Sequence, residues 1–158
     1  MEPLRRFGIN LEKDKFEQGA LYGTACVYAL VEKAIADYLR PFKLSPAKFN
    51  AMMVIKHMGN GSGLSQVDVG EHLIVSPSNI TRLLDRLSKD GYIERCAQEG
   101  DRRVHLVKIT KKGSQMLDKV WPGYYERIKR LTGYLTKEEL QKLSNILIRW
   151  FAELDKGV

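Results

Sequence analysis

The chain of 158 residues carries 26 lysines and arginines against 19 aspartates and glutamates, a formal net charge of +7. That length suits one domain, or one small module with extensions, and 44% hydrophobic with 28% charged residues permits an ordinary core. The cationic excess favours a polyanionic partner, because each phosphate neutralised releases condensed counterions. No apolar run reaches the roughly 20 residues of a membrane span, Arg5 and Arg6 have no apolar stretch behind them as a secretory leader requires, and Cys26 and Cys96 make neither a disulfide framework nor a zinc spacing. A reducing cytoplasm is the expected compartment, with no membrane partner, metal or cofactor.

In chain order, Phe16 to Leu39 predicts a long helix, with Leu30, Ala34 and Tyr38 as an i, i+4, i+8 stripe. Arg40-Pro41 stops it, since a residue before proline avoids the helical region. Ser45-Pro46 restarts a helix with a serine cap and a proline at the first helical position, and this second helix runs to about Met58, before Gly59-Asn60-Gly61. Ser65 opens a short third helix, with Asp68 at the capping-box position and Val69 and Leu73 on its apolar side. Ser76-Pro77 repeats the cap-plus-proline start for a fourth helix ending near Asp90-Gly91. Two strands follow, Tyr92 to Ala97 and Val104 to Ile109, joined by the polar tip from Gln98 to Arg103 as a β-hairpin. Thr110 to about Leu131 is expected to be helical, interrupted or kinked at Trp121-Pro122-Gly123. Thr136, with Glu139 in the capping-box position, opens a last helix striped by Leu140, Leu143, Leu147, Phe151 and Leu154. The flanking helices hold more apolar residues than a module of this size needs, which implies burial against a partner.

The fourth helix carries most of the functional signal. Ile80, Leu83, Leu84 and Leu87 fall at i, i+3, i+4, i+7 and are expected to bury together, leaving Ser78, Asn79, Arg82, Arg86 and Lys89 on the other side. Asn and Arg can make bidentate contacts to base edges, Ser and Thr reach bases or phosphates, and a helix N-terminus offers free N–H groups to phosphate. Only Ile74 and Val75 separate the third helix from the Ser76 cap, a helix-turn-helix spacing. Basic residues on a helix most often form nothing more than a solvated face. Here the hairpin beside it adds Arg102, Arg103, Lys108, Lys111 and Lys112 with no acid among them. An arginine-tipped loop next to a recognition helix suits a narrow minor groove, whose negative potential attracts arginine without base contacts. Asp101 cannot attract DNA; its expected role is to pair with a neighbouring arginine and hold the loop.

Three runs together resemble the MarR family: Leu64-Ser65-Gln66, then Ser76 to Leu87 (SPSNITRLLDRL), then Gly91-Tyr92-Ile93-Glu94-Arg95. They are followed by Asp101 to Gly113, which is similar to the family's wing pattern Asp-x-Arg-x-x-x-Val-x-Leu-Thr, with Ile109 in place of leucine. The resemblance is close from Leu44 to Gly113 and, in the flanking helices, extends to order and length only. It implies a mainly α fold with a small β-hairpin: a winged helix-turn-helix at 45–113 between dimerisation helices at 12–44 and 114–158. It further implies a homodimeric, ligand-responsive regulator, a repressor, that binds a pseudo-palindromic operator in double-stranded DNA. On this mapping Ser76, Ser78, Asn79, Thr81, Arg82 and Arg86 belong to the recognition helix, Arg103 is the wing arginine, Asp101 its partner and Arg102 a second contact.

Family members respond to small aromatic acids, drugs, peroxides or metals. Cys26 has small or apolar neighbours and no adjacent base to lower its pKa, which favours a packed, structural thiol. His57, His72 and His105 fall on three separate elements without metal-ligand spacing. Tyr28, Tyr38, Met52, Met53 and His57 are the candidate lining of a pocket for a small aromatic or anionic effector, the competing reading being that they fill the core. Ser65 and Ser76 are explained by capping and no phosphate loop or nucleophile elbow occurs, so no enzyme is expected. The remaining alternative is a winged-helix protein-interaction module without operator readout, against which the retention of Arg82, Arg86 and Arg103 argues.

Overall fold

Serine and threonine caps set the helix starts. A computed structural model describes residues 16–73, 77–98 and 101–157, the side chains of residues 77, 78, 98 and 101–105 lying outside that description. After α1 (Phe16–Leu39) and a 3-10 turn at Arg40–Phe42, Ser45 adopts an extended backbone. Its hydroxyl accepts the Lys48 N–H at 3.2 Å, and Pro46 opens α2 (Pro46–Met58). Ser65 closes a reciprocal box with Asp68 at the start of α3 (Gln66–Glu71). Thr136 does the same with Glu139 at the start of α6 (Lys137–Asp155). The Ser76 cap lies outside the described residues; the helix it precedes, α4, runs Pro77–Lys89.

The end of α4 is a Schellman cap. The Gly91 N–H bonds Ser88 O and the Tyr92 N–H bonds Leu87 O, both at 2.9 Å. Gly91 sits at φ 74°, where a side chain would be strained. Reversal here sends the chain directly into β2 (Ile93–Gln98), which pairs antiparallel with β3 (Asp101–Ile109) from Ile93 opposite Ile109 outward.

The sheet has three strands in the order β1-β3-β2, where the sequence predicts two. The extra strand β1 is only Leu64–Ser65, paired with Val107 and Leu106, too short to show a period-two pattern. Both long strands also reach into the expected polar tip, because the ladder continues past an irregularity at Ala97/Gln98.

The core lies between α1, α2, α4 and the sheet. Phe49 and Met52 of α2, Ile80, Leu84 and Leu87 of α4, and Ile93 and Val107 of the sheet are essentially inaccessible to water. In α1 the buried positions are Ile35 and Leu39, not the expected Leu30-Ala34-Tyr38 stripe; Leu30 is 56% exposed. The helix is therefore anchored by its last two turns, while Leu21, Tyr22, Val27, Tyr28 and Leu30 face outward.

The expected interruption at Trp121-Pro122-Gly123 is absent: α5 runs unbroken over Lys111–Thr132 with Pro122 inside. Proline lacks an N–H, so the Asp118 carbonyl loses its helical donor while the turns on both sides keep theirs. The chain nevertheless divides between Pro122 and Gly123 into two compact units. In the second unit no residue of α6 is buried, and Leu143, Leu147, Phe151 and Leu154 are all exposed. Among the described residues no helix is long and apolar enough to cross a membrane.

Candidate nucleic-acid interface

On α4 the apolar stripe Ile80, Leu84 and Leu87 is buried, Leu83 is half-buried at its edge, and Asn79, Thr81, Arg82, Asp85, Arg86 and Lys89 are exposed. Burial of one stripe at helical spacing dictates which side chains remain outside. Thr81 is held: the Gln66 side-chain amide, at the first turn of α3, donates to its hydroxyl at 2.8 Å. Asp85 pairs with Arg95 of β2 at 2.7 Å, tying the recognition helix to the root of the wing. Asp90, just past the helix, accepts from Lys48 of α2 at 2.6 Å.

These two pairs decide the electrostatics of the face. The acids that could neutralise it are engaged by Arg95 and Lys48, so among the described residues neither Arg82 nor Arg86 has a carboxylate partner. An uncompensated guanidinium pair on an exposed helix is a device for binding phosphate or base edges. Such surface pairs contribute little to folding, about 0–1 kcal/mol each, so positioning is their main consequence.

A second polar knot fixes the wing root. The Thr110 hydroxyl donates to Gly91 O and Tyr92 O at 2.8 and 3.1 Å and accepts the Gly113 N–H at 3.0 Å, capping α5. Lys112 donates to Asp90 O at 2.6 Å and lies 5.1 Å over the Tyr92 ring. The run Thr110-Lys111-Lys112-Gly113 therefore binds the hairpin, the end of α4 and the start of α5 into one rigid corner.

Of the expected interface residues, Asn79, Thr81, Arg82 and Arg86 share the exposed part of α4. Ser76 and the side chains of Ser78, Asp101, Arg102 and Arg103 lie outside the described residues, as does the expected pairing of Asp101. Sequence reading names Gln66 and Arg95 only as motif residues and does not single out Lys48; it missed that all three pair with α4 or its end from other elements. The partners of Gln66, Lys48 and Arg95 are 15, 42 and 10 residues away, and no local pattern signals such a pairing.

The five candidate pocket residues do not come together. Met52 is wholly buried in the core, Tyr28 is 64% exposed on α1, and the Tyr38 hydroxyl donates to Val120 O at 2.7 Å. Met53 and His57 do line a cavity of about 410 Å³, with Lys56, Leu117, Asp118 and Trp121. Lys56 and Asp118 pair across it at 2.7 Å, placing both charges on a largely apolar wall. Helical spacing explains the split: Met52 and Met53 are adjacent and point about 100° apart.

Comparison with known proteins agrees with this geometry. The model of the family described as MarR matches residues 42–104, from the end of the 3-10 turn into β3. The transcriptional repressor MprA of Escherichia coli K12 is 30% identical over 99% of this chain and 89% of its own. The regulator PecS of Dickeya dadantii is 26% identical, covering 78% of this chain and 74% of its own. Among solved structures, a cysteine-to-serine mutant of E. coli MarR complexed with operator DNA is 25% identical, with TM-score 0.75 over 89% of this chain and 98% of that one. AbsC of Streptomyces coelicolor, at 22% identity, shares the fold with TM-score 0.82 over 95% of this chain and all of that one.

Proposed function

The chain belongs to the MarR family, and from that premise we propose that it is a homodimeric repressor which reads a pseudo-palindromic operator and releases it on binding a small effector. It is a DNA-binding transcriptional regulator. The observation that carries the proposal is the exposed side of α4, where Arg82 and Arg86 stay unpaired because Asp85 and Asp90 are drawn away. In this reading α4 enters the major groove with Ser76, Ser78, Asn79, Thr81, Arg82 and Arg86, and the wing brings Arg102 and Arg103 to the minor groove, with Asp101 shaping the loop.

Residues 45–113 are the reading head, and the helices at 12–44 and 114–158 join two copies. The outward apolar side chains of α1 and of α6 support this assignment, since large apolar surfaces on an isolated chain call for a cover. The cavity beside Met53 and His57 is the candidate effector site. Its apolar wall and the Lys56–Asp118 pair suit a small aromatic or anionic molecule that competes for the lysine. Such a molecule can act only by binding one arrangement of the two reading heads better than the other.

Selection of bound sequences from random duplexes tests this directly. A two-fold consensus is expected, with half-sites about one helical turn, roughly 10 bp, apart. Bound sequences without a consensus, or binding whose affinity hardly changes with salt, would leave a protein-interaction module instead.

A further inference from the structure

We infer that Asp118 is a built-in stand-in for the effector: its carboxylate holds, on Lys56, the place that the carboxylate of a small aromatic acid takes over. The inference rests on the cavity beside Met53 and His57 being the effector site, and it narrows the ligand from aromatic or anionic to both at once.

Residues of α2 and α5 wall this cavity of about 410 Å³. Steps of three and four on α2 bring Met53, Lys56 and His57 to it, and a step of four on α5 brings Leu117 and Trp121, with Asp118 beside them. His57 can be neutral or cationic but never anionic, so among the described lining residues Asp118 is the one acid.

Charge decides the class of ligand. Lys56 and Asp118 meet at 2.7 Å, yet they are unequally placed: the Lys56 side chain is 26% exposed and that of Asp118 67%. Deprived of its partner, Lys56 would be left as a largely sheltered cation, which is costly. Asp118, once freed, is taken up by water, because so exposed a carboxylate is already mostly hydrated. A cationic ligand would have to take Asp118 and strand Lys56, and a neutral ring would cover the pair without a charge-assisted bond to either member. An anion exchanges one carboxylate for another on Lys56 and returns to water the partner that water solvates best.

That exchange is nearly even, so it selects the ligand without making it bind tightly. Affinity comes from a ring laid against Met53, Leu117 and Trp121, apolar area that the short Asp118 side chain cannot cover. The exchange also ends the tie from α2 to α5 and replaces it by a bond from α2 to the ligand. Capture of the acid and loosening of α5 from α2 are then one event, which gives the ligand different affinities for the two arrangements.

Calorimetric titration of the full chain with benzoate, benzamide, benzylammonium and acetate tests this. Benzoate should bind, with benzamide and benzylammonium about tenfold weaker or more and acetate about a hundredfold weaker for want of the ring. Asp118→Asn removes the competing charge at nearly constant shape and should tighten benzoate by about threefold to fivefold, the range that an exposed ion pair allows. Lys56→Gln should weaken it about tenfold, and if that variant does not fold, the Asp118→Asn comparison decides. Benzoate binding by Asp118→Asn that is equal or weaker would overturn the inference, as would a preference for benzylammonium or no binding of benzoate to the unaltered chain. Benzoate that binds as expected, with both substitutions acting as expected, yet leaves duplex affinity unchanged would uphold the exchange at Lys56 and overturn the regulatory role of the cavity instead.

Discussion

Gly113 shows how little room a single position can leave. It lies where α5 begins, and a Cβ there would sit 2.2 Å from Tyr92 O and 2.7 Å from Ile109 Cδ1. The first of these is backbone and cannot rotate away. Gly113→Ala should therefore displace the corner that Thr110 holds, at a cost of about 1–3 kcal/mol, the range for overpacking a tight site. Chemical denaturation reads this as a lower midpoint with an unchanged slope. An unaltered midpoint would mean that α5 shifts without consequence and that the wing root is not rigid.

Elements are held mainly by their ends. The first turn of α6 depends on Glu139, whose carboxylate accepts the Thr136 N–H and hydroxyl, each at 2.8 Å. The backbone bond first, and the hydroxyl second, hold this carboxyl below the usual carboxylate range. A carboxyl whose pKa is lowered in the folded state stabilises above its unfolded pKa and loses that contribution as pH falls through the folded value. Acidification from neutral should fray the start of α6 in that window, and Glu139→Gln should remove the pH dependence. Amide exchange at the first α6 residues followed against pH checks this; identical pH profiles for the two proteins would show that the box does not control the helix start. The same logic of ends explains α4, whose Schellman cap at Gly91 sets where the wing begins and hence where Arg95 meets Asp85.

At the scale of the molecule, the outward apolar residues of α6 bear on assembly. Leu147→Glu places a charge in the Leu143, Leu147, Phe151 and Leu154 stripe, none of which is buried within the chain. Folding of the single chain should survive, since no core contact is lost, whereas a two-fold interface would lose a buried apolar anchor and gain a desolvated charge. Sedimentation should then show a monomer, and affinity for a two-half-site duplex should fall by far more than affinity for one half-site. A variant that stays dimeric would move the interface off α6.

Taken alone, the sequence determined the order of the helices, their serine and threonine caps, the buried stripe of α4 and the family, because all of these rest on contacts within three or four residues or on contiguous motifs. Caps at Ser45, Ser65 and Thr136 are legible for that reason, as is the outward facing of Asn79, Arg82, Arg86 and Lys89. Tertiary structure alone decided the third strand at Leu64–Ser65, the anchoring of α1 by Ile35 and Leu39, and the split of the pocket residues between core and cavity. It also decided which charges on α4 are free, because Lys48 and Arg95 arrive from other elements. A local pattern fixes which way a side chain points; only the packed chain fixes what it meets there, and the free energy of a charge depends on its neighbour.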